Sequence, residues 1–226
     1  MSSLKQQLVN AQQLFADTVI PTMPKEVLEL TALFAQNEFP DLTTLQNIIS
    51  KNTSLTAEVI KIANEKQFLS PRQTSVLSIR DAINVIGLKR LKNLVISVGF
   101  QLQNNNLAVE EVSDFNVNVA RVASELTFYT EGVSEDEAYL AGLFHNAGTL
   151  LFATKYPDYD QVFLESLQYA YRGTQLENSN YGTTHTVAGI LVAKKWQLDN
   201  LFNQVILMHH QRNLSKIGNS KARTLI

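Results

Sequence analysis

Apolar residues return every three or four positions along most of this chain, and no run of alternating β-branched and aromatic residues is bounded by turn pairs. That period belongs to helices that bury one face, so the expected fold is all-α. Leu4, Leu8, Ala11 and Phe15 form the first stripe, which predicts an amphipathic helix over 3–17 that stops before Pro21. Pro24 suits a first helical turn, and Val27, Leu28, Leu30, Leu33 and Phe34 follow as a core-facing set. A helix restarts after Pro40 and Asp41 through Leu42, Leu45, Ile48 and Ile49. Ser54 is the expected cap of the next, which carries Leu55, Val59, Ile60, Ile62 and Ala63.

Residues 67–75 read as a loop from their Ser, Pro and Thr content. Ser78 and Asp81 then stand at capping-box spacing before a helix that Gly87 ends, and a further helix runs from Leu88 to Leu102. The polar run 104–106 is the expected boundary between two subdomains. Beyond it come a helix over about 110–129, a capping box at Ser134 and Glu137, and one helix running through Leu140–Phe152. Helices near 159–172, 185–195 and 199–211 complete the pattern.

A chain of 226 residues can bury a full core unaided, and with no cysteine it has no disulfide framework, zinc knuckle or thiol nucleophile. The N-terminus lacks the pattern of a secretory signal, and no window approaches eighteen consecutive apolar residues; a soluble, cytoplasmic protein without membrane contact is expected. The net charge of −2 offers no general attraction to nucleic acid. Lys89, Arg90 and Lys92, Lys194 and Lys195, and the tail residues Lys216, Lys221 and Arg223 read as solvated faces, so nucleic acid is not an expected partner.

Against this background one stretch is out of character. LAGLFHNAGTLLF, residues 140–152, is nearly all apolar yet carries His145 and Asn146 at its centre, where an unpaired polar group would cost about 1–3 kcal/mol. The chain has four histidines. On helices, His145 shares a stripe with Ala141, Gly148 and Phe152; His185 with Ala188, Gly189, Val192 and Trp196; His209 with Phe202 and Val205. One such histidine is usually a satisfied core residue. Three on separate helices could converge on one transition metal, with His145, His185 and His209 as the candidate ligands. His210, about a quarter-turn away from His209, could cap the helix end.

The order LAGLFHNAG, YGTTHTVAGILVAKKW, VILMHH resembles the HDOD domain, a relative of the HD phosphohydrolases named for an adjacent His and Asp. PTMPKEVLELTALF, LTAEVIKIAN and SIRDAINVIGLKRLKNLVIS resemble its helical lead-in, and the likeness covers 20–212. It implies an N-terminal helical bundle (20–103) packed on an HD-like helical half (107–213), within an HDOD domain at 20–213. An N-terminal amphipathic helix (1–19) and a C-terminal tail (214–226) then lie outside it.

Family members are commonly signalling modules without demonstrated hydrolysis. Catalytic HD proteins pair an early His, the His–Asp dyad and a later Asp; here His145 matches the dyad's His, but Asn146 stands where its Asp should be. His185, His209 and His210 match extra histidines of some branches. The early His falls near Phe115, where there is none, and Asp114 is the one carboxylate nearby.

An amide is neutral and cannot bridge two cations as a carboxylate does, so a binuclear centre that activates water is not expected. The resemblance thus implies a non-catalytic signalling or regulatory module without a cofactor, acting through a protein partner or small ligand. His145, Asn146, His185, His209 and His210 are its expected binding positions, and the first helix is a candidate dimer contact. The alternative is a metal-dependent phosphohydrolase of nucleotides or cyclic dinucleotides, which three inward histidines would favour.

Overall fold

The structure, a computed structural model, describes every residue except 1, 2, 21, 38, 66–74, 102–106, 168–172 and 197. The loop expected at 67–75, except for Ser75, and the boundary expected at 104–106 therefore lie outside the described residues. In chain order the helices are α1 (Leu4–Leu14), α2 (Lys25–Gln36), α3 (Leu42–Ser50), α4 (Thr53–Ala63), α5 (Ile79–Ile86), α6 (Leu88–Gln101) and α7 (Leu107–Leu126). Then follow α8 (Glu135–Phe144), α9 (Thr149–Lys155), α10 (Tyr159–Leu167), α11 (Gly173–Tyr181), α12 (His185–Lys195), α13 (Asn200–Met208) and α14 (Ser220–Leu225). No strand occurs among the described residues, so the all-α expectation holds. None of these helices is long and apolar enough to cross a membrane.

The chain divides into two compact units, Met23–Gln103 and Met1–Thr22 with Asn104–Ile226. The first holds α2 to α6, and its core is drawn from the predicted apolar set: Val27, Leu30, Leu45, Ile49, Leu55, Val59, Leu91 and Val95 are buried, whereas Leu28, expected to face the core, lies next to Val27 on the outward side of α2 and is exposed. Each such side chain contributes about 1.5–3 kcal/mol on leaving water. Asp41 caps α3 by accepting from the Thr44 N–H at 2.9 Å. The cap of α4 is Asn52, which accepts from the Leu55 N–H at 3.0 Å; Ser54, expected in that role, lies inside the first turn. Asn reaches the N3 amide as well as Ser does, so the helix gains two residues at its start. Ser78 caps α5, and Gly87 ends it with φ +82°, a left-handed conformation that costs glycine little.

In the second unit α7 lies along α8 with almost no side chain between them: a Cβ on Gly142 would sit 2.6 Å from the Cα of Ala120. The predicted capping box opens α8, Ser134 Oγ accepting from the Glu137 N–H at 3.2 Å and Glu137 accepting from the Ser134 N–H at 2.8 Å. The single helix expected through 140–152 is in fact two. α8 stops at Phe144, residues 145–148 turn, and α9 starts at Thr149. Two features account for the break. The Thr149 hydroxyl and N–H both donate to the Asn146 carbonyl, at 2.7 and 2.9 Å. Gly148 also touches α12, where a Cβ would come within 1.9 Å of the His185 carbonyl oxygen.

The helix expected over 159–172 ends, as described, at Leu167, and its last five residues lie outside the described set. α11 is an addition to the sequence reading, because GTQLENSNY carries one aliphatic residue and shows no apolar stripe. α1 packs by its C-terminal half: Ala11 and Phe15 are buried, Phe15 meets Phe152 edge-on at 5.0 Å, and Asn10 Nδ2 donates to the Gly182 carbonyl at 2.8 Å. Residues 214–226, read as a tail, include α14. Its Ala222, with Ile217 before it, packs with Ala141, Leu201 and Val205.

Candidate functional site

All the predicted site residues fall in the second unit. Thr184 caps α12, accepting from the Val187 N–H, and so fixes His185 as the first residue of that helix. Its ring faces Glu177 of α11, which is fully buried. Taking a carboxylate out of water costs several kcal/mol unless it is paired and hydrogen-bonded. Glu177 is both: His185 donates its backbone N–H at 2.7 Å and its Nδ1–H at 2.9 Å, and the Tyr159 hydroxyl donates at 2.5 Å. Burial alone would raise the Glu177 carboxyl, but the charge and hydrogen bonds of His185, joined by Tyr159, bring it below its ordinary value. Burial, and then the Glu177 charge, push the Tyr159 hydroxyl well upward.

These contacts fix a tautomer. In the tautomer that gives Nδ1–H to Glu177, His185 Nε2 is bare and turned the other way. His209, at the C-terminal end of α13, donates its Nδ1–H to the Ile206 carbonyl at 3.0 Å, so its Nε2 is bare too. The two nitrogens stand 3.1 Å apart, and His210 Nε2 is 3.2 Å from that of His185. The bare lone pairs of His185 and His209, aimed at one another over 3.1 Å, repel unless a proton or a cation lies between them. Burial, reinforced by the neighbouring imidazoles, pushes His209 well below the usual histidine range. Burial and His185 bring His210 to about 4, with Glu177 opposing.

His145 is placed differently. It ends α8, donates Nδ1–H to the Gly142 carbonyl at 2.6 Å, and accepts at Nε2 from Asn146 Nδ2 at 2.8 Å. The second Nδ2 proton of Asn146 goes to Asn116 Oδ1 of α7 at 3.1 Å. Burial, opposed by the Gly142 carbonyl, lowers His145 to about 4. Its ring stands beside that of His209, centroids 5.0 Å apart, but its Nε2 is already engaged. The structure therefore gathers His185, His209 and His210, with donor atoms all within 4.8 Å of one another, whereas the sequence grouped His145 with His185 and His209. His210, read as a helix cap, takes the third place.

Asp114, the one carboxylate near the early-His position, is exposed within α7. Three contributors were missed. Asn116 lies one residue beyond the position assigned to the early His, and its place in NVN beside that position was its available signal. Glu177 and Tyr159 gave none, since neither belongs to a stripe or motif. Asn116 Nδ2 is itself buried with no partner among the described residues.

An HD-type pair of cations does not fit these residues. The position that needs a bridging carboxylate is an amide, and both of its protons are committed to His145 and Asn116. A single ion bound by imidazoles fits, at His185, His209 and His210. Beside His210 a groove of about 660 Å³ opens between α1, α11, α12 and α13, lined by Gln7, Asn178, Ser179, Thr184, Thr186 and Gln211 among others. Its lining has no formally charged side chain, and its size is that of a small-molecule site.

The HDOD domain model matches residues 20–212. A protein of Treponema pallidum (strain Nichols), described as uncharacterized, is 25% identical over 202 residues, 84% of this chain; the chain spans 37% of that protein's length. Among solved structures, an HDOD domain protein of unknown function from Geobacter sulfurreducens is 22% identical with a TM-score of 0.78, over 99% of this chain and 75% of its own. One from Marinobacter aquaeolei VT8, described provisionally as a signal transduction protein, is 19% identical with a TM-score of 0.74, over 98% and 53%. One from Shewanella amazonensis SB2B, described provisionally as a phosphohydrolase, is 21% identical with a TM-score of 0.70, over 95% and 77%. At these identities the structures share the fold.

Proposed function

This chain belongs to the HDOD domain family, and we propose that it is a non-hydrolytic regulatory module of the cytoplasm that signals by binding rather than by turnover. One observation carries the reading: the Asn146 amide gives one Nδ2 proton to Asn116 Oδ1 and the other to His145 Nε2. A carboxylate in the place of Asn146 would turn acceptors toward Asn116 Oδ1 and His145 Nε2, and would need a proton or cation to settle there. The amides need neither. Water activation for attack on phosphorus, which depends on such a cluster, lacks here the bridging carboxylate of a binuclear centre.

Binding is assigned to the groove beside His210. Its hydroxyls and amides offer donors and acceptors without net charge, which suits an uncharged, hydrogen-bonding small ligand. A protein partner could read the same end of α13 from outside, and neither nucleic acid nor membrane is called for. The test is turnover: purified protein, with the tag removed, is assayed against phosphomonoesters, nucleotides and cyclic dinucleotides with Mn²⁺, Fe²⁺ or Zn²⁺. No hydrolysis above the metal-only rate is expected. Turnover that disappears in His145→Ala would overturn the reading in favour of a phosphohydrolase, which the three converging imidazoles support.

A further inference from the structure

We infer that Nε2 of His185, His209 and His210 together hold a single late first-row transition-metal ion, with Glu177 as a positioning residue behind His185 and without His145. The inference goes beyond the binding role proposed above and stands whether or not that role is correct.

Tautomer and distance carry it. His209 gives its Nδ1–H to a backbone carbonyl and His185 gives its own to a buried carboxylate, leaving both Nε2 atoms bare and 3.1 Å apart. The His210 Nε2 stands 3.2 Å from that of His185, and the three donor atoms all lie within 4.8 Å of one another. Nitrogens bound to one Zn²⁺ at about 2.0–2.1 Å in tetrahedral array stand roughly 3.3 Å apart, close to the separations of His185 Nε2 from His209 Nε2 and His210 Nε2. Glu177 completes a carboxylate–histidine pair of the kind that fixes ring orientation and strengthens a metal-binding imidazole; Tyr159 and the His185 N–H hold that carboxylate in turn.

The donor set also names the class of ion. Three neutral imidazoles without a direct anion suit Zn²⁺, Co²⁺ or Ni²⁺ and fit Mg²⁺ or Ca²⁺ poorly, since those require oxygen ligands. His209 and His210 lie at the C-terminal end of α13, where unpaired carbonyls favour positive charge. His145 is excluded because its Nε2 already accepts from Asn146.

The experiment uses the full chain, with the tag removed, stripped by a chelator and titrated with Co²⁺ alone. One equivalent with visible d–d absorption is expected, displaced by one equivalent of Zn²⁺. His210→Ala, at an exposed position, should weaken Co²⁺ binding roughly a hundredfold or more, while His145→Ala should leave it essentially unchanged. Glu177→Gln should weaken it about ten- to hundredfold and shift the absorption band; if that variant does not fold, Tyr159→Phe keeps the carboxylate and should act in the same direction. The inference is overturned if folded wild-type protein shows no saturable Co²⁺ site, which would leave a shared proton between the rings. It is equally overturned if binding survives His210→Ala and is lost in His145→Ala.

Discussion

Gly148→Ala isolates the contact on which the second unit's geometry turns. Gly148 has φ −68° and ψ −21°, a right-handed conformation that alanine adopts freely, so the substitution adds no backbone strain. Its whole cost is steric. The new Cβ would lie 1.9 Å from the His185 carbonyl oxygen, 2.5 Å from the Gly189 nitrogen and 2.8 Å from the His185 carbonyl carbon. Ordinary contacts begin near 3.4 Å, so α12 would have to retreat by about 1.5 Å, and backbone has no rotamer with which to yield. That retreat would unseat Val187, Ala188 and Val192, all buried, and draw His185 away from Glu177.

Overpacking in cores costs about 1–3 kcal/mol and more where backbone must move, against at most about 1 kcal/mol gained from replacing glycine in a helix. A loss of about 3 kcal/mol is expected, which for a chain of this size lowers Tm by about 6–12 °C. Calorimetry beside Gly218→Ala, whose Cβ would meet nothing within 4 Å, is the assay. A Gly148→Ala midpoint within about 2 °C of the parent would refute the close approach of α9 and α12.

Other expectations follow from the site. His145, normally near 6.5, is held at about 4 by burial, so the unfolded chain binds more protons between those values. The stability it contributes is complete above about pH 6.5 and is lost as the pH falls through 4; at 1.36 kcal/mol per pH unit this amounts to about 3 kcal/mol. Denaturant midpoints from pH 7.5 to 4 should therefore fall, less steeply in His145→Gln, and a flat profile would contradict the burial. Asn146→Asp should cost about 1–3 kcal/mol at pH 8, because two accepted hydrogen bonds lose their donor; NMR titration should show His145 taking up a proton at higher pH than in the parent. Ser134→Ala removes the cap of α8 and should cost about 1 kcal/mol in urea denaturation, with no change in metal binding.

How much of this could be read beforehand divides along physical lines. Helices with one apolar face, such as α3 and α5, announced themselves by period and by caps at Asp41 and Ser78, because burial and capping are local in sequence. The break at 145–148 was hidden, since an apolar run reads as one helix whether or not a distant backbone needs Gly148 at its side. α11 was hidden for the opposite reason. Its residues are polar, and its value lies in one buried carboxylate whose partner is eight residues away on another helix. Likewise, counting inward histidines pointed to the right end of the unit, but only hydrogen bonds to Asn146 and Ile206 show which nitrogens remain bare. The family resemblance, stated from motifs over 20–212, is the extent over which the HDOD model matches.

The most direct test counts ions and turnover on the same sample: the full chain, with the tag removed, is saturated with Mn²⁺, Fe²⁺ or Zn²⁺, desalted, analysed for bound metal and assayed on phosphate esters. The account predicts no more than one ion per chain and no hydrolysis. Two ions per chain together with turnover would contradict it.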